Sequence, residues 1–266
     1  MQQIKAQNGV VYYKSDKIKS SHAFATRLGG ISTHEHTQSL NLAFGRGDDD
    51  AIVLENLRRF GEAVGFRPES VVSMPQIHSR RVINITADMC GQGYFLPNTT
   101  ECDGYVTRER SVTIGVKTAD CVPILLEDEA NGIIAALHAG WRGTFLDICG
   151  EGVRMMKNIG ADISRIVAVI GPSICDNCYE VGRDVYDAAR TCMGADADLF
   201  FRQKQSLDKY LVDIMSTNMY LLVRAGISPE NIEVSDLCTY DHPELFWSHR
   251  YTKGRRGTML SVISLQ

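Results

Sequence analysis

Short runs of β-branched, aromatic and aliphatic residues, broken by polar turns, recur along this chain. They fall at residues 10–13, 22–26, 71–72, 81–85, 112–116, 122–126, 133–137, 167–170, 232–234 and 259–263. Each is too short for a helix and rich in strand formers, so each predicts a strand. Helical spacing is confined to four stretches. The first begins at Asp48-Asp49-Asp50, where acidic residues suit a helix N-terminus, and runs to about Val64. The second spans about 145–158, with Thr144 as its cap and Gly160 as its stop. The third covers about 182–192. The fourth covers about 208–224, with Leu211, Met215, Met219 and Leu222 on one face and Gly226 after it. A polar loop rich in Gly, Ser, Thr, His and Asn fills 27–47. Strands outnumber helices, and several follow one another without a crossover helix. The pattern therefore predicts an α+β fold, a layered sandwich of mixed β-sheets flanked by helices, rather than a doubly wound parallel sheet. No repeat, low-complexity tract or linker divides the chain, so residues 1–266 are expected to form a single domain.

Composition narrows the function. A hydrophobic fraction of 44% supports a substantial core, and the net charge is −4. No basic run exceeds Arg80-Arg81 or Arg255-Arg256, so no nucleic-acid partner is expected. No apolar run approaches the length of a membrane span and no hydrophobic signal region opens the chain, so a cytoplasmic protein without a membrane partner is expected. In a reducing compartment the eight cysteines read as thiols or ligands, not disulfides. Cys175-Asp176-Asn177-Cys178 is the one close pair. No second C-x-x-C accompanies it, which favours free thiols over a structural zinc knuckle.

The strands predicted at 122–126 and 133–137 form a hairpin that brings Cys121, just before it, near His138, just after it. A thiol beside an imidazole is either an activated nucleophile or part of a metal site. His78, behind Pro75 and beside a predicted strand end, could join them. Two His and one Cys, with water as fourth ligand, make an open zinc site of catalytic type. A cysteine hydrolase needs only Cys121 as nucleophile, His138 as base, Asp120 or Gln76 to orient it, and backbone amides near 140–143 for an oxyanion. The same spacing also fits a buried thiol and a satisfied core histidine. His22 and His242 read as structural or solvated, and His34 and His36 as solvated loop residues.

The ordered motifs resemble the laccase-domain family, also called the polyphenol-oxidase-like or YfiH family. They are Thr26-Arg27-Leu28-Gly29-Gly30, Ser39-Leu40-Asn41-Leu42, Gln76-Ile77-His78, Asp103-Gly104-Tyr105-Val106-Thr107 and Thr118-Ala119-Asp120-Cys121-Val122-Pro123. His138-Ala139-Gly140-Trp141-Arg142-Gly143, Ile170-Gly171-Pro172-Ser173-Ile174, Tyr179-Glu180-Val181-Gly182, Cys238-Thr239 and Phe246-Trp247-Ser248-His249-Arg250 follow. The resemblance implies a single layered domain with Zn²⁺ ligands at His78, Cys121 and His138, the same residues being catalytic. It implies phosphorolysis of adenosine, inosine and methylthioadenosine, with deamination of adenosine, so a purine nucleoside and phosphate are the expected partners. Amidase editing of a peptidoglycan precursor is the alternative it carries. For phosphate and nucleoside the expected residues are Arg27 first, then His249 and Arg250, with Asn41 and Gln76 for ribose or base; Arg142 reads equally as a structural ion-pair residue. A multicopper oxidase needs about ten histidines. This chain has seven, so a four-copper mechanism does not fit, although Cu²⁺ at the His₂Cys donors does. Monomer and homodimer are both compatible with the sequence.

Overall fold

A computed structural model describes residues 1–98, 100–205 and 208–265. Among these residues the chain forms two six-stranded sheets and one three-stranded sheet. The first sheet runs in the order Gln2–Lys5, Val11–Lys14, Ser21–Ala25, Met259–Ser264, Thr113–Thr118 and Val71–Val72. The second runs Ile232–Val234, Val167–Ile170, Val122–Asp128, Ile133–Ala139, Gly104–Thr107 and Val82–Asn84, antiparallel at its centre and parallel at both edges. This is the α+β sandwich of mixed sheets that the strand-rich pattern predicts.

Double-sided burial explains why the central runs are continuously apolar. In Val122–Asp128, Leu125 faces the first sheet, while Ile124 and Leu126 face the helices. In Ile133–Ala139, Ile134 and Ala136 point into the space between the sheets; Ile133, Ala135 and Leu137 point the other way. The inter-sheet core also takes Phe24, Ile114, Val116 and Val262, together with Val53, Leu57 and Phe60 of helix Asp50–Val64. The outer core takes Val153 and Met156 of helix Ile148–Asn158 and Leu221 and Leu222 of helix Ile214–Arg224.

Two of the expected helices begin elsewhere. Thr144 is not a cap: it lies inside the short helix Trp141–Phe145, and the next helix, Ile148–Asn158, starts at Asp147. Asp147 adopts the left-handed conformation (φ 65°), and its carboxylate accepts from the Gly150 N–H at 2.9 Å. The expected helix from 208 is split. Lys209–Val212 is the central strand of the small sheet, between Glu180–Gly182 and Phe201–Gln203, and the helix starts at Ile214 behind the Asp213 cap. Tyr210 and Val212 alternate into the core there. Strand pairing thus overrides a helical spacing that four residues are too few to decide. Gly104–Thr107, a fully buried strand, was not foreseen as an element.

Candidate active site

The alternation of the central hairpin fixes where Cys121 and His138 meet. His138 continues the face of Ile134 and Ala136, and its cross-strand partner is Pro123, which shares a face with Leu125 and with Cys121 just before the strand. His78 arrives from the loop ahead of Val82–Asn84. One ligand-capable atom from each of His78, Cys121 and His138 lies within 4.8 Å of the others. The rings of His78 and His138 meet edge to face with centroids 4.9 Å apart.

The residue that organises this group is Asp103, at the foot of strand Gly104–Thr107. It is fully buried, and its carboxylate accepts from the backbone N–H groups of Ile77 (3.2 Å), His78 (3.0 Å) and Ser79 (2.7 Å) and from Ser79 Oγ (2.8 Å). His78 takes a left-handed conformation (φ 58°) within that turn, a strain of the sort that functional sites hold in place. Asp103 Oδ1 also accepts from His138 Nδ1 at 2.8 Å. A carboxylate can only accept, so Nδ1 carries the proton and Nε2 is turned toward the group. Asp103, not Asp120 or Gln76, is therefore the orienting partner of His138. Asp120 (φ 88°) instead accepts from Thr239 Oγ1 and the Arg250 N–H, each at 2.7 Å.

Burial and charge act against each other on the two imidazoles. Burial alone would depress His138, but the charge on the Cys121 sulfur and the Asp103 hydrogen bond outweigh it and raise its pKa to about 9. His78 moves down, first through burial and then through its positive neighbour His138. Burial disfavours the charge on Asp103, yet His138 and the Ser79 donors hold its pKa below the ordinary value. His78 Nδ1 is buried without a hydrogen-bond partner. Gly140 makes room for the group: a Cβ there would lie 2.5 Å from His78 Nδ1 and 3.3 Å from Cys121 Sγ.

His78, Cys121 and His138 line a cavity of about 470 Å³, within the range of small-molecule sites. The lining also carries the cations Arg46, Lys117, Arg256 and Arg250, together with His249, whose pKa burial and then Arg256 push below the ordinary imidazole value. Lys117 projects from strand Thr113–Thr118, donates to the Ser73 carbonyl at 3.2 Å and sits 4.5 Å over the Tyr94 ring. Burial, then the charge of Arg46, lowers its pKa to about 8. The same two causes lower Arg256 to about 10. Clustered positive charge in a partly buried wall is costly unless an anion meets it.

The structure gathers some of the expected substrate residues here and not others. Gln76, His249 and Arg250 line the cavity. The Gln76 amide is paired at both ends with the Lys117 backbone, at 2.8 and 2.7 Å. Arg250 donates to the Glu180 carbonyl at 2.6 Å and lies over the Tyr179 ring. Arg27 is elsewhere: its guanidinium donates to the Gln38 and Pro243 carbonyls and stacks on Trp247 at 3.8 Å. Asn41 is fully buried and its amide is spent on Ala43, Asp48 and Thr258. Arg142, a cavity neighbour through Trp141, stacks on that ring at 4.1 Å. His34 and His36 pack on each other in the 27–47 loop, away from the cavity. Sequence reasoning passed over Arg46, Lys117, Arg256 and Asp103. Arg46 had a signal, since Gly45 and Gly47 flank it with positive φ, as did Lys117, a lone lysine in an otherwise apolar run.

A family model described as "Multi-copper polyphenol oxidoreductase laccase" matches residues 21–266. The chain belongs to this family. It is 35% identical over 246 residues to "Purine nucleoside phosphorylase YlmD" of Bacillus subtilis (strain 168), covering 91% of this chain and 87% of that protein. It is 35% identical over 238 residues to "Adenosine deaminase RL5" from an unknown prokaryotic organism, covering 88% and 89%. Among solved structures, YlmD from Geobacillus stearothermophilus superposes with a TM-score of 0.91 at 30% identity, covering 100% of this chain and 98% of that one. The family and fold read from the motifs are thereby borne out. No helix among the described residues is long and apolar enough to cross a membrane.

Proposed function

We propose that this protein is a purine nucleoside phosphorylase that cleaves adenosine, inosine and methylthioadenosine with inorganic phosphate, and that it also deaminates adenosine. The observation that carries the reading is a single cavity lined both by a His₂Cys group and by the cations Arg46, Lys117 and Arg256. The similarity to proteins named for both activities supports it.

The donor set suits a metal. Two imidazoles and a thiol are borderline-soft ligands, and His78 Nδ1 is an unpartnered buried nitrogen beside Cys121 Sγ. His78, Cys121 and His138 would hold Zn²⁺, with Cu²⁺ also matched to the same donors. When bound, the ion supplies a Lewis acid able to acidify water near neutral pH, as deamination requires. Asp103 fixes the His138 tautomer and holds the turn that presents His78. Arg46, Lys117 and Arg256 hold the phosphate dianion in place of Arg27, so that one of its oxygens attacks the anomeric carbon as the bond to the purine nitrogen breaks. His249 and Arg250 line the same cavity and would meet the nucleoside.

One observation favours a second reading. Cys121, His138 and Asp103 stand in the nucleophile–base–orienter order of a cysteine amidase. Incubation of the protein with inosine and phosphate separates the two. Release of hypoxanthine and ribose 1-phosphate, abolished by Lys117→Met and Arg256→Met together, is the expected result. No base release at micromolar enzyme, with covalent labelling of Cys121 by a thiol-reactive amide, would transfer the assignment to the amidase.

A further inference from the structure

The C-x-x-C at 175–178 has a spatial partner that its sequence neighbourhood hides. Strands Val167–Ile170 and Ile232–Val234 run parallel, and just beyond their ends a bridge pairs Ser173 with Cys238. That bridge sets the turn Cys175-Asp176-Asn177-Cys178 against the turn Cys238-Thr239-Tyr240-Asp241. Both turns offer a ligand-capable residue at positions one and four. The second half of the motif is thus C-x-x-D, which a search for a second C-x-x-C overlooks.

We propose that Cys175, Cys178, Cys238 and Asp241 form a structural zinc site, distinct from the group at His78, Cys121 and His138. One donor atom from each of the four lies within 4.8 Å of the others. Asp241 Oδ1 is 3.1 Å from Cys178 Sγ and Asp241 Oδ2 is 3.7 Å from Cys175 Sγ. With zinc–sulfur bonds of about 2.3 Å, tetrahedral donors stand about 3.8 Å apart, so small side-chain rotations close the set. Backbone N–H groups face the Cys238 sulfur from Cys175, at 3.3 Å, and from Tyr240 and Asp241. Such donors disperse thiolate charge and are the usual outer partners of a Cys-rich site. Among the described residues Asp241 forms no ion pair, so no side-chain cation competes for its carboxylate. Four protein ligands leave no open position, which makes the site structural rather than catalytic.

Its placement says what it holds. Ile174 and Tyr179, the residues on either side of the first turn, both line the active-site cavity. Thr239, in the second turn, donates to Asp120, whose other oxygen fixes the Arg250 backbone. A metal joining the two turns therefore braces the part of the cavity lining that carries Ile174, Tyr179 and Arg250. This inference concerns metal content and stands apart from the assignment of the reaction.

Elemental analysis of the full chain, purified with zinc, tests it. The wild-type protein is expected to carry two zinc ions per chain. Cys121→Ser with His138→Ala should retain one, Cys175→Ser with Cys178→Ser should retain one, and the four changes together should retain none. Wild-type zinc content in the Cys175→Ser/Cys178→Ser protein would overturn the site. If that variant fails to fold, alkylation of the wild-type protein read by mass spectrometry decides. Zinc should slow labelling of Cys175 and Cys178 by at least about tenfold relative to chelator-treated protein, because a metal-bound thiolate is withheld from the reagent. Equal labelling rates, or a Cys175–Cys178 disulfide in the protein as purified, would overturn it as well.

Discussion

Asp103→Asn is the substitution that probes the scaffold of the candidate site most directly. In metal-free protein the His138 pKa rises from 6.5 to about 9, worth roughly 3 kcal/mol in favour of the imidazolium and shared between Cys121 and Asp103. Because the folded pKa is raised, this stability is fully present below about pH 6.5 and is lost as pH climbs through about 9. Asparagine keeps the volume but removes the charge and replaces one acceptor oxygen by a donor amide. The N–H groups of Ile77, His78 and Ser79 then compete for a single oxygen. Each buried donor left unmet costs about 1–3 kcal/mol, and breaking one side of a buried charged pair costs about 3–5 kcal/mol in all. Urea unfolding of chelator-treated protein at about pH 6 and about pH 10 separates the parts. The variant should lose about 3–5 kcal/mol at the lower pH and distinctly less at the higher, where His138 is neutral in both proteins. A loss under about 1 kcal/mol at low pH, or an equal loss at both, would refute the reasoning.

Three further outcomes follow from the same geometry. Lys117 titrates near 8, so its charged fraction falls from about nine-tenths at pH 7 to about one-tenth at pH 9. Sulfate, a dianion throughout that range, should bind several-fold more weakly at the higher pH by calorimetry, and Lys117→Met should flatten the profile; a pH-independent wild type would remove Lys117 from the anion wall. Gly140→Ala places a methyl against His78 Nδ1 and Cys121 Sγ. It should weaken zinc binding about ten- to hundredfold in competition with a chelating dye, a size typical of disturbed outer partners, whereas unchanged affinity would show that the group has more room than its packing indicates. Asp147→Ala removes a cap and leaves a non-glycine residue at positive φ. It should cost about 1–3 kcal/mol, while Asp147→Gly, free of the conformational strain, should cost less; equal midpoints in urea for the two variants would contradict this.

The parts of the fold that were legible share a physical cause. Residues 122–126 and 133–137 are apolar on both faces because each strand lies between a sheet and helices, so their pattern survives any detail of pairing. The same hairpin made Cys121 and His138 neighbours by register alone. Lys209–Val212 was illegible because its strand character comes from Glu180–Gly182 and Phe201–Gln203, segments too short to announce themselves. Asp147 was passed over as a cap because the sequence does not show that a separate short helix, Trp141–Phe145, ends just before it and that the next begins at Ile148.

The site divides along a similar line. Cys121, His138 and His78 could be picked out by residue type because few side chains do their chemistry. Cations are a different matter, since a sequence shows where an arginine is but not whether its donors are already used. Arg27 looked suited to phosphate in a Gly-rich loop, yet the carbonyls of Gln38 and Pro243 consume its guanidinium, and Trp247 covers its face. Arg46 sits in a comparable loop between two positive-φ glycines, and there the chain turns it into the cavity, where its charge depresses both Lys117 and Arg256. Burial is the larger cause of both depressed values, and repulsion from Arg46 adds to it. A dianion placed among the three cations would offset both the desolvation and the repulsion, which is the physical ground for the anion subsite proposed above.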